Sequence, residues 1–174
     1  MDLKTVMLML AVGSFIFGLL LVIFKFNKNN PQKVPFWIAA KFLQAAGSLM
    51  LYYRAGIFDG LTMKANVVLL LGCAYEVWAV RFLLGQAVKR RLHILTSVGI
   101  ILASSITLFL VEPYRVALVF LLQGVFYFLP SIFLFRKSDM KFSLQLVLAV
   151  SYCISGLMFL LGAIVCLGFP DYTL

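Results

Sequence analysis

Glu76 is the one acidic residue set in the middle of a long apolar run, and it is the first candidate for chemistry in this chain. At the rise of a helix it lies roughly 16 Å from the inner end of its run, near the midplane of a hydrocarbon core ~30 Å thick. A carboxylate there costs about 2.5 kcal/mol or more unless it is protonated or paired. It must therefore face other protein. It can act as a ligand or proton site, or as a hydrogen-bonded packing carboxylate.

Other polar residues recur at similar depth. Gln44, Gln123 and Tyr152 fall roughly 12–18 Å from the same end of their runs, and Tyr127 lies one turn beyond Gln123. Ser14, Ser104 and Ser105 also sit near mid-run. Polar groups in lipid must be satisfied inside the protein. Glu76, Gln44, Gln123, Tyr127 and Tyr152 are thus expected to converge on one interior, with the four neutral residues as partners of the carboxylate. Such a belt can line a small-ligand cavity or join helices by hydrogen bonds. Arg81 and Lys41 lie nearer the inner ends and read as anchors that snorkel toward the cytoplasm.

Catalytic parts are not in place. The single histidine, His93, stands beside Arg90 and Arg91. There is no HExxH pair, no phosphate-cradling glycine loop and no DxD-like acidic pair. Cys73, Cys153 and Cys166 lie in apolar runs with no CxxC spacing, and read as small buried hydrophobes. No enzymatic activity, metal or cofactor is expected.

Composition indicates the solvent these residues face. Of 174 residues, 64% are apolar and 12% are charged, where a soluble domain carries about 25%. Mean hydropathy is +1.07. That surface suits a lipid bilayer. It excludes a nucleic-acid-binding domain, a disordered regulator and a disulfide-stapled secreted module.

The elements that must position the belt are six apolar runs in a single transmembrane domain, at about 6–24, 36–53, 65–85, 92–111, 116–135 and 142–168. Each approaches the ~17–25 residues of a spanning helix. Turn chemistry separates them: NKNNPQKVP, GIFDG, AVKRR, EPYR and RKSDMK. The shortness of EPYR predicts that spans 4 and 5 are antiparallel neighbours. Ser14 with Gly18, and Ser151 with Ser155, offer close helix approach at four-residue spacing. Pro130 predicts a kink in span 5, with Ser131 placed to satisfy freed carbonyls.

Charge sets the orientation. The net charge is +9. Lys25, Lys28, Lys33, Lys41, Arg81, Lys89, Arg90, Arg91, Arg136, Lys137 and Lys141 flank the odd loops, whereas Lys4, Arg54, Lys64 and Arg115 lie on the other side. The positive-inside rule puts the odd loops in the cytoplasm and the N-terminus outside. Span 1 lacks a cleavage site and reads as a retained helix. Six spans leave the C-terminus outside. The expected fold is an all-α membrane protein of six transmembrane helices. It is either complete in that form or lacks a seventh helix returning the chain to the cytoplasm.

From Trp37 to Gly85 the chain resembles the N-terminal membrane region of bacterial GGDEF proteins, the diguanylate cyclases. Trp37, Gly47, Leu51 and Arg54 carry the likeness in span 2. Asp59, Asn66, the run Val67 to Gly72, Glu76, Arg81-Phe82 and Gly85 carry it further, and Asp2-Leu3-Lys4-Thr5 opens the chain in similar fashion. The resemblance implies a sensor in the bacterial inner membrane, feeding an output domain that makes cyclic di-GMP and works as a homodimer. This chain holds no GGDEF motif, so the output and the last helix are expected outside it. The expected partners are the bilayer and a small-molecule or lipid ligand, with no nucleic acid. The alternative is a small transporter or pore subunit using Glu76 and the glutamines as a polar path. A ligand-free structural subunit is a third reading.

Overall fold

A computed structural model describes residues 3–27, 35–54, 60–87, 89–136 and 142–168. The NKNNPQKVP, GIFDG and RKSDMK turns lie largely outside those residues, as do Asp2, Lys28, Lys33, Asp59, Lys137, Lys141 and the tail beyond Gly168.

All described regular structure is helical. The order is α1 (Leu3–Asn27), α2 (Pro35–Tyr52), α3 (Gly60–Leu83), α4 (Arg90–Ile106), a 3-10 turn (Thr107–Phe109), α5 (Glu112–Arg136) and α6 (Phe142–Gly168). Four helices carry segments long and apolar enough to cross a membrane: Lys4–Ile23, Gly60–Leu83, Pro113–Arg136 and Gln145–Gly168. The other two, α2 and α4, have 18 and 17 residues, and α2 carries Lys41 and Gln44 inside its apolar run.

α3 is the hub. It packs on α2, α5 and α4, while α5 packs on α6 and α1 packs closely on α2 alone. Half of the apolar segment of α3 is buried, against 11% of that of α1 and 17% of that of α6. The large apolar side chains of α1, such as Leu20 and Ile23, are exposed. That distribution suits lipid outside and α3 at the centre.

Helix approach is controlled by glycines, but mostly not those of the expected pairs. A Cβ on Gly47 would stand 2.6 Å from Leu69 Cγ, and one on Gly72 would stand 2.9 Å from Gln44 Cγ and 3.2 Å from the Ala40 carbonyl oxygen. These two positions close the α2–α3 seam. Gly124, Gly156 and Gly162 do the same between α5 and α6, against Leu160, Phe128 and Phe120. Gly18 does face α2, at Phe42. Ser151 instead is exposed and bonds the Val147 carbonyl of its own helix. Without a hydrophobic drive between helices in lipid, such close packing must hold the bundle together.

Several ends differ from the sequence expectation. α3 begins at Gly60 rather than near 65 and ends at Leu83. A Schellman motif stops it. Gly85 takes φ 73°, its N–H bonds the Phe82 carbonyl, and Gln86 N–H bonds the Arg81 carbonyl, both at 3.0 Å. α5 begins at Glu112, so EPYR is its first turn rather than a loop. Pro113 is tolerated there because first-turn N–H groups have no helical partner.

The side-by-side pairing expected for spans 4 and 5 is a further correction. α4 packs closely on α3, and the chain between α4 and α5 meets α5 through the 3-10 turn. Leu110 is extended there, at φ −90° and ψ 147°. Arg115 fixes the corner by donating to the Thr107 carbonyl at 2.9 Å and the Leu110 carbonyl at 3.1 Å. α4 still reaches α5 by side chains: Leu122 and Phe126 pack on the cluster of Leu70, Ala74 and Ile100.

Gln145 donates to the Leu134 carbonyl, one of the last-turn acceptors of α5. Pro130 lies fully buried inside α5, beside buried Ser131.

Candidate functional site

Glu76 faces the bundle, as a membrane carboxylate must. It is 3% exposed. Its partner is not one of the four neutral candidates but Lys41, which forms an ion pair with Glu76 Oε1 across the α2–α3 seam. The reading of Lys41 as a cytoplasmic anchor is therefore corrected. Helical rise explains the pairing. Lys41 lies six residues into α2 and Glu76 seven before the end of antiparallel α3, which is roughly 9 and 11 Å from the same end. Because α3 starts and stops earlier than expected, Glu76 lies below the helix midpoint, nearer the end bearing Lys89, Arg90 and Arg91.

Lys41 has two further contacts. Its ammonium donates to Gln44 Oε1 at 3.0 Å and lies 5.7 Å from the centroid of the Phe17 ring on α1. One cation thus touches α1, α2 and α3. Gln44 is held in place by Gly72, whose missing side chain lets the two backbones meet.

Above the pair is a cavity of about 220 Å³. Gln44, Ser48, Asn66, Cys73, Gln123, Tyr127 and Ser14 contribute its polar lining. The remaining walls are apolar, and they come from α1, α2, α3, α5 and α6. Gln44, Gln123 and Tyr127 were expected to meet, and the fold brings them to one space. Tyr127 and Gln44 face the Cys73 thiol. Tyr152 joins from behind: its ring centroid is 6.1 Å from that of Tyr127, and its hydroxyl faces Trp37. Ser104 and Ser105 stand apart on α4. Ser104 is 1% exposed with its Oγ unpartnered, and Ser105 bonds the Ile101 carbonyl.

Two buried polar atoms of the site have no hydrogen-bond partner among the described residues: Gln44 Nε2 and Glu76 Oε2. Leaving such a group unmet costs about 1–3 kcal/mol. Of the two residues, Gln44 lines the cavity and Glu76 lies behind it.

Below the pair, among the described residues, the bundle interior is apolar. Val80, Leu84, Leu134 and Ala149 form an apolar plug, with Trp37, Phe133, Leu148 and Tyr152 packed on it. Arg81 caps this end. It lies 5.9 Å from the Trp78 ring and 5.3 Å from the Phe133 ring, and donates to Gln86 Oε1 at 3.3 Å. His93 stacks on Trp78 with centroids 6.2 Å apart, fastening the start of α4. The cavity therefore lies in the half of the bundle toward Arg54 and Lys64, away from the basic end.

Sequence reading missed Lys41, Ser48, Asn66 and Cys73 as site residues. The depth of Lys41 was a usable signal, because it matches that of Glu76 on the following helix. For Ser48 and Cys73 no such signal exists, since only the glycine-controlled seam decides which face of α2 and α3 turns inward.

No protein family, curated protein or solved structure matches the chain. The function must be argued from the site.

Proposed function

We propose that this chain is the membrane-embedded input module of a bacterial signalling protein, in the cytoplasmic membrane, with six crossings and the N-terminus outside. The observation that carries the reading is the one-sided cavity with a buried ion pair under its floor. A conduit needs a polar path to both ends, and among the described residues the interior toward the basic end is an apolar cluster. That weighs against the transporter or pore reading. A receptor needs a cavity and an element with two arrangements whose balance a ligand can shift. The Lys41–Glu76 pair joins α2, and with it α1, to the rest of the bundle through α3. In one arrangement the pair is closed; in the other it is broken and α1 and α2 move together.

Geometry supports the six crossings. α2 is roughly 27 Å long, and α4 with its 3-10 turn is roughly 31 Å, against a core of ~30 Å. Arg54 and Lys64 lie at one end of α3, and Arg81, Lys89, Arg90 and Arg91 at the other. That segregation favours a cytoplasmic basic end. The output suggested by the resemblance is a cytoplasmic domain forming cyclic di-GMP, acting as a dimer.

The test is Glu76→Gln in a signalling protein carrying this membrane region. The amide keeps an acceptor for Lys41 but removes the charge. Membrane insertion should persist, and the stimulus-dependent change in cyclic di-GMP should be lost. An unchanged response would reduce the pair to packing and overturn the reading.

A further inference from the structure

The lining of the cavity restricts what can occupy it. None of its side chains carries a formal charge: the polar members are serines, amides, a thiol and a phenol. Lys41 and Glu76, the charged pair beside Gln44 among the described residues, already neutralise each other. An ionic ligand would be buried without a counter-charge, which is strongly unfavourable. The occupant is uncharged.

Gln44 specifies its polar end. Lys41 donates to Gln44 Oε1, and an ammonium has no acceptor. The amide therefore cannot be flipped, and its NH2 must face away from Lys41. That Nε2 is buried and turned toward the Cys73 thiol, a weak acceptor, and it has no hydrogen-bond partner among the described residues, on a residue 7% exposed that lines the cavity. It calls for an acceptor, such as a carbonyl oxygen. The rest of the space is bounded mainly by apolar groups, including Leu10, Leu69, Val119 and Phe159. At about 220 Å³ it is smaller than the ~300–1,000 Å³ of drug-sized sites, so the apolar tail is short.

The route is lateral. α1 packs closely on α2 alone, yet Met7, Leu10 and Ser14 form one wall of the cavity opposite Val119 and Phe159 of α5 and α6. A molecule dissolved in the bilayer reaches the cavity between those helices.

We propose that the cavity binds an uncharged, membrane-dissolved amphiphile with a short apolar tail, whose carbonyl oxygen accepts a hydrogen bond from Gln44 Nε2. The signalling role of this ligand rests on the input-module reading; its chemistry does not.

The test uses the full chain in lipid nanodiscs at mildly alkaline pH. Its thermal unfolding midpoint is read with methyl heptyl ketone, nonane or nonanoate at equal mole fraction in the lipid. A ligand that binds only the folded state raises the midpoint by mass action. The ketone should raise it by several degrees, and nonane and nonanoate should not. Gln44→Leu should remove the ketone-specific rise. Leu10→Trp, at a half-exposed wall position away from the α2–α3 seam, should remove it by filling the space. An equal rise with nonane would overturn the polar head, a larger rise with nonanoate would overturn the neutral ligand, and no rise with any probe would overturn the site. A ketone-specific rise alongside a normal signalling response in Glu76→Gln would overturn the input-module reading while leaving the ligand site standing. Loss of response in that variant with no ketone rise would do the reverse.

Discussion

Lys41→Met is expected to destabilise the folded protein by about 3–5 kcal/mol, the cost of leaving a buried charge without its partner. Glu76 is 3% exposed, with Oε2 already unpartnered. Methionine fills much of the lysine volume but offers it no proton. Gln44 Oε1 loses its donor in the same step. Glu76→Gln is milder, because its amide oxygen still accepts from Lys41, and about 1 kcal/mol is expected for that exchange. The double variant Lys41→Met/Glu76→Gln should be more stable than Lys41→Met alone, since it has no buried carboxylate to strand. Reversible unfolding in mixed micelles, run as a double-mutant cycle, measures these differences. Additive losses would mean that the two side chains are not coupled.

Gly72→Val is the second large effect. Its Cβ alone would meet Gln44 Cγ at 2.9 Å and the backbone of Ala40 and Gln44 at 3.2 Å. Backbone cannot yield as a flexible side-chain end can. The seam must open, displacing both Gln44 and the Lys41–Glu76 pair. Overpacking of this kind costs about 1–3 kcal/mol, and the lost ion-pair geometry adds to it. Gly13→Val and Gly99→Val serve as controls, because a Cβ at either position meets nothing within 4 Å. The same unfolding assay should show Gly72→Val well below wild type and both controls close to it. Three equal midpoints would show that the seam is not tight.

The helices were legible because a bilayer demands long uninterrupted runs, and spans 2 and 6 agree with α2 and α6 to within a residue. The inward direction of Glu76 was legible for the same reason: lipid punishes an exposed carboxylate. So was the meeting of Gln44, Gln123 and Tyr127, three polar side chains at one depth with nowhere else to go. The partner of Glu76 was not. Lys41 has a long stem that can either snorkel or turn inward, and the choice depends on whether a neighbouring helix offers a carboxylate at that depth. Helix neighbours were the least legible feature. EPYR is short, but Leu110 and the Arg115 clasp turn the chain at the corner, so a short connection did not put α4 alongside α5.

The most direct test concerns the two arrangements of the bundle. Spin labels at Ile23→Cys on α1 and Val147→Cys on α6, both exposed, report movement of the α1–α2 unit against the remainder, in a background with Cys73, Cys153 and Cys166 replaced by alanine. Their distance distribution in nanodiscs is compared with and without Glu76→Gln. If the ion pair holds one of two arrangements, one distance dominates with Glu76 and a second becomes populated with glutamine. Distributions that superimpose would contradict the account, leaving Lys41 and Glu76 as packing in a bundle with a single state.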